Sequence, residues 1–71
     1  MMKFDRFYGS TVFPFDLKPY KELGSALGSL VSTVRENQLM PGRTFTGEDK
    51  KAAIVMRKEK YMLVFFRAKI A

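Results

Sequence analysis

The sequence predicts a small single α+β domain. The expected arrangement is β-α-β-β, with one main amphipathic helix packed on an antiparallel sheet that ends in a C-terminal β-hairpin. Three observations predict it. Apolar residues recur at three- and four-residue spacing between Asp16 and Met40, the period of a helix with one buried stripe. Two apolar runs, Ala52 to Met56 and Tyr61 to Phe66, are separated only by Arg57-Lys58-Glu59-Lys60. A Phe-rich segment, Lys3 to Asp16, precedes the helix.

Residues 1–15 read as a Phe-rich arm followed by an edge strand. Gly9-Ser10 is a turn signal. In Ser10 to Phe15, Thr11, Val12, Phe13 and Phe15 favour the pleated state. Pro14 cannot donate to a ladder, which makes this an edge strand or a strand end.

Residues 16–40 read as helix. Asp16 can cap the first amide groups, and Pro19 falls in the first turn, where it is tolerated. Tyr20, Leu23, Leu27, Leu30 or Val31, and Val34 make the stripe. Pro41-Gly42 is the expected stop. Gly24 and Gly28 lie inside, and each costs about 1 kcal/mol relative to Ala. Either the helix approaches a neighbour closely there, or it breaks near Gly28-Ser29. The G-x-x-x-G spacing is not a membrane pairing motif here, because Lys21, Glu22, Arg35 and Glu36 flank it.

Residues 43–51 read as a polar connection and residues 52–70 as the hairpin. The turn has no Gly or Asn, which leaves its register open. A helix from a Thr46–Asp49 capping box competes for this region. Its polar group at Arg57 to Lys60 would lie across every face, so the hairpin is preferred.

Composition narrows the chemistry. A chain of 71 residues buries only about 60% of its unfolded surface, so a large substrate cavity is unexpected. There is no Cys and no His, which removes disulfides, Cys/His metal sites and His-based proton relays. No cofactor, metal or enzymatic activity is expected. Glu48-Asp49 are adjacent rather than a separated catalytic pair. Nucleotide-binding and calcium-loop signatures do not occur in the sequence. The longest apolar run is six residues, Tyr61 to Phe66, against about 20 for a membrane span. With no apolar run of signal-peptide length at the N-terminus, the expectation is a cytoplasmic protein without a membrane partner.

The net charge is +6, from 13 cations and 7 carboxylates. A field of that sign favours nucleic acid or an acidic protein surface. The last strand would give it a place. One side carries Met62, Val64, Phe66, Ala68 and Ile70, wholly apolar, and is expected under the helix. The other carries Tyr61, Leu63, Phe65, Arg67 and Lys69, and a single helix leaves it uncovered. Phe4, Phe7 and Tyr8 of the arm could fold across it, a second copy of the chain could cover it as a homodimer, or bases could stack on it.

Lys21 to Gly42 also resembles a helix-turn-helix segment of the small phage excisionase and repressor type. Leu23, Ala26-Leu27-Gly28, Thr33-Val34-Arg35 and Leu39-Met40-Pro41 carry the resemblance. It covers a third of the chain, and the second helix is about three residues short of the pattern. It implies a turn at Gly28, Thr33 and Arg35 in the major groove, and the hairpin as a wing.

Two functions follow as expectations. The first is a small basic nucleic-acid-binding protein, a phage or mobile-element regulator. Its contacts would be Arg57, Lys58, Lys60, Tyr61, Phe65, Arg67 and Lys69, with Arg35 and Arg43 next. The second is a small interaction or inhibitor protein that docks on a host protein through its exposed sheet face or edge.

Overall fold

The computed structural model describes residues 3–69. The chain forms β1 (Lys3–Val12), a 3-10 segment (Lys18–Leu23), α1 (Ser25–Arg35), β2 (Thr44–Thr46), β3 (Lys50–Arg57) and β4 (Lys60–Lys69). The strands make one antiparallel sheet in the order β1-β4-β3-β2. The expected α+β class, the helix on an antiparallel sheet and the C-terminal hairpin are all present. Ile70, expected at the end of the last strand, lies outside the described residues, as do residues 1 and 2 of the arm.

The Phe-rich arm is itself the first strand. It pairs with β4 along its length instead of folding across the sheet. Its register shifts twice, with Asp5 and Tyr8 as the extra residues. Such bulges are common on edge strands, and β1 is an edge. Pro14 lies beyond the strand end. The supposed polar connection contains β2, because Phe45 between two threonines is buried against Ala52.

The helical region is not one helix over residues 16–40. Asp16 accepts a hydrogen bond from the Lys18 amide at 3.3 Å but is not the cap; Leu17 holds that position, without a side-chain cap bond. The 3-10 segment is interrupted at Tyr20, and Gly24 then takes φ +60° before α1 begins. That positive φ is the reason for Gly24. α1 runs through Gly28 without a break and stops at Arg35, well before Pro41. It stops because Asn37 turns left-handed at φ +54°. The Asn37 amide bonds the Val34 carbonyl and the Gln38 amide the Thr33 carbonyl, which satisfies the last carbonyls in a Schellman arrangement. Gly28 is exposed, and a Cβ there would touch nothing. It marks neither a close helix contact nor a helix-turn-helix turn.

The hairpin closes through Lys58 and Glu59, at φ +51° and +62°. Two consecutive left-handed residues are what a two-residue turn matching the strand twist requires. Lys58 and Glu59 do so without the usual Asn-Gly.

The core is Leu23, Ala26 and Leu30 from the helical layer, Leu39, and Phe45, Ala52, Ile54, Leu63 and Phe65 from the sheet. Thr33 is buried too, with its hydroxyl donated to the Ser29 carbonyl at 2.9 Å. The helix-facing side of β4 is therefore Leu63 and Phe65, the reverse of the expected side. Phe65 is fully buried, stacked on Tyr20 with ring centroids 3.4 Å apart and planes 7° off parallel.

Phe65→Ala should cost about 3–5 kcal/mol, enough to abolish most of the stability of so small a domain; a urea titration checks it. Gly28→Ala should instead raise stability by about 0.5–1 kcal/mol, seen as a higher urea midpoint at unchanged slope.

Candidate nucleic-acid interface

Among the described residues, no helical element packs on the second side of the sheet. Strand alternation and register define what it displays. β4 contributes Met62, Val64, Phe66 and Ala68, and their partners on β1 are Val12, Ser10, Phe7 and Phe4. On β3, Val55, Ala53 and Lys51 lie opposite Met62, Val64 and Phe66, and Arg57 lies opposite Lys60. Thr44 and Thr46 of β2 complete the surface. None of these positions is an Asp or a Glu. The seven carboxylates of the chain sit in the Asp5 bulge, the loops, the 3-10 segment, the helix end and the hairpin tip.

Three phenylalanines cluster on this face. Phe7 is 57% exposed and meets Phe66 edge-to-face, with centroids 6.3 Å apart. The Lys51 ammonium sits 5.5 Å from the Phe66 centroid and 5.7 Å from that of Phe4. It holds a positive charge over the rings and makes no ion pair among the described residues. Beside them a shallow groove of about 380 Å³ is lined by Phe7, Ser10, Arg57, Met62, Val64 and Phe66.

The residues singled out in the sequence do not form one site. Phe65 cannot stack a base, since it is fully buried. Tyr61 is half-buried and packs against the core from the helix-facing side. Arg57, Lys58 and Lys60 do gather at the hairpin tip, all exposed. Arg67 and Lys69 lie at the far end of β4, about 23 and about 30 Å from Lys60 at the rise of a strand. The Arg67 guanidinium lies 4.9 Å from the Tyr8 ring centroid. Arg35 is exposed at the end of α1, where its charge suits the helix dipole. Arg43 covers the Phe45 ring at 5.5 Å, immediately before the short edge strand β2, where its carbonyl accepts from the Ile54 amide.

Four positions on the open face were missed: Phe4, Phe7, Lys51 and Phe66. Their signal was present in the Phe-rich arm, but it required knowing that the arm is a strand paired with β4.

On the opposite side, Tyr8 bridges the sheet to the helical layer, at 6.1 Å from Phe65 and 6.2 Å from Tyr20. Its hydroxyl is buried and makes no hydrogen bond of ordinary geometry among the described residues, though the Glu22 carboxylate is near enough to act on it as a weak acceptor. Burial first, and then the nearby Glu22 carboxylate, push it from the ordinary 10.0 up to about 12.

No protein-family model, curated protein or solved structure matches this chain.

The raised Tyr8 pKa has a consequence at alkaline pH. Between pH 10 and 12 the unfolded chain releases the Tyr8 proton and the folded chain keeps it, so stability falls as pH rises through that window. Tyr8→Phe should lose less stability than the parent protein from pH 10 to 12 and differ little in slope below pH 9, as read by urea midpoints across pH.

Proposed function

We propose that this protein binds single-stranded nucleic acid on the open face of its sheet. One observation carries the reading: Phe4 and Phe66 flank the Lys51 ammonium, Phe7 packs on Phe66, and Lys51 makes no ion pair among the described residues. Aromatic rings offer a sequence-tolerant stacking surface, and fixed cations meet the backbone. The basic hairpin tip, Arg57, Lys58 and Lys60, continues the positive surface at one end of the platform. Insertion of a recognition helix into a groove has less support, because α1 is a single uninterrupted helix.

The exposed apolar groove beside Phe7 and Val64 favours a second reading, docking on a protein partner with an apolar and acidic surface. Strand addition at an edge is the weaker form of it. One edge is broken by two bulges and the other is three residues long.

Titration of fluorescent single- and double-stranded oligonucleotides, with the mass recorded by light scattering, tests both readings. The expected result is a preference for single strands and an affinity that falls steeply between about 0.05 and 0.2 M salt. Phe7→Ala and Phe66→Ala should each weaken binding by about 1–3 kcal/mol. Replacing Lys58 and Lys60 together should weaken it about equally on all sequences. Unchanged affinity in both Phe variants would move the site off this face. No binding even at low salt would overturn the proposal in favour of docking, and a doubled mass would identify a second copy as the cover.

A further inference from the structure

Like charges placed directly across two strands repel and destabilise the sheet. The end of the β1–β4 ladder does this repeatedly. Lys3 is the register partner of Lys69, and Arg6 of Arg67. On the other flank of β4, Lys50 is the partner of Arg67. The pairing is not forced by the neighbouring residues. Phe4 pairs with Ala68, so an unbroken ladder would next set Asp5 against Arg67, an attractive pair. The bulge skips Asp5 and sets Arg6 there instead.

Local counter-charges offset the repulsion only in part: Asp49 is near enough to attract Arg67 but forms its ion pair with Lys50. Lys50 is engaged with Asp49 at 2.8 Å, and Asp49 is held below its ordinary pKa by that hydrogen bond. Asp5 lies 3.8 Å from Lys69. Among the described residues neither Arg6 nor Arg67 has an ion-pair partner. The Arg67 guanidinium is held in place over the Tyr8 ring. Asp5, Arg6, Arg67, Ala68 and Lys69 together line a concavity of about 570 Å³.

We propose that this concavity binds a phosphate group carrying two or more negative charges, gripped between the Arg6 and Arg67 guanidiniums with Lys69 at its rim. Paired guanidinium forks match phosphate oxygens and turn the repulsion into a shared attraction. The Asp5 carboxylate opposes the ligand and moderates its affinity. Arg6 and Arg67 lie on the side of the sheet opposite Phe7 and Phe66, so the site does not rest on the stacking platform. The phosphate could be a free ion or the terminal phosphate of a nucleic-acid strand.

Calorimetric titration with pyrophosphate at about 0.15 M salt is the test. One saturable site is expected. Arg6→Gln and Arg67→Gln should each weaken it about tenfold or more, and Asp5→Asn should strengthen it. Without ligand, Arg6→Gln should melt no lower than the parent protein, because a repulsion is removed; this separates lost binding from lost folding even if Arg67→Gln unsettles Tyr8. Single strands with a 5′-phosphate or a 5′-hydroxyl then separate the sources. A preference for the phosphorylated end that Arg6→Gln erases and Phe7→Ala preserves assigns the terminal phosphate. Pyrophosphate binding without an end preference assigns the free ion. Equal pyrophosphate binding by the parent and Arg6→Gln, or neither pyrophosphate binding nor an end preference, overturns the proposal.

Discussion

The fit of Phe65 between two small residues organises the molecule. Its register partners are Gly9 on β1 and Ala52 on β3, and Ala52 in turn faces Phe45 on β2. The row across the sheet thus alternates small and large. Tyr20 of the 3-10 segment lies flat on Phe65 in the space this leaves. A Cβ at Gly9 would stand 2.9 Å from the Tyr20 hydroxyl oxygen, closer than atoms tolerate. Stacked aromatic pairs add about 0.5–1.5 kcal/mol beyond the area they bury. In a domain this small that is a large share of the total.

From this contact the rest follows. Tyr20 anchors the 3-10 segment over β4, Gly24 redirects the chain, and α1 is laid down with Ala26, Leu30 and Thr33 inward. Gly47 lets the β2–β3 loop meet the Leu23 carbonyl, where a Cβ would come within 2.8 Å. One helical layer is thereby committed to one side of the sheet. The other side keeps Phe4, Phe7, Met62, Val64 and Phe66 without a helical cover among the described residues, and no carboxylate stands among the paired strand positions of that side. The interface is the face left over by the core, and its charge asymmetry comes from where the loops put their acids.

The long hairpin was legible because both apolar runs and the intervening charges are local. So was the helix-on-sheet plan, from a stripe at helical spacing. The helix boundaries were not. Gly24 and Asn37, both at positive φ, decide them, and a glycine or asparagine in sequence does not announce its φ. β2 escaped notice because three residues between polar neighbours carry little pattern, and Phe45 is held by Ala52 rather than by local preference. Gly28 drew attention that Gly9 and Gly47 warranted, since only close approach by a distant residue distinguishes them.

The sequence alone determined that a small basic α+β domain has one helical layer for a two-sided sheet, and so leaves one side of its last strand to be explained. It could not determine which side. Met62, Val64 and Phe66 are as apolar as Leu63 and Phe65, and a period of two assigns residues to faces without saying which face is inside. Tertiary structure decided that through contacts between residues far apart in the chain. Gly9 and Ala52 make room beside Phe65 for Tyr20, and no comparable slot exists beside Phe66, whose register partners are Phe7 and Lys51.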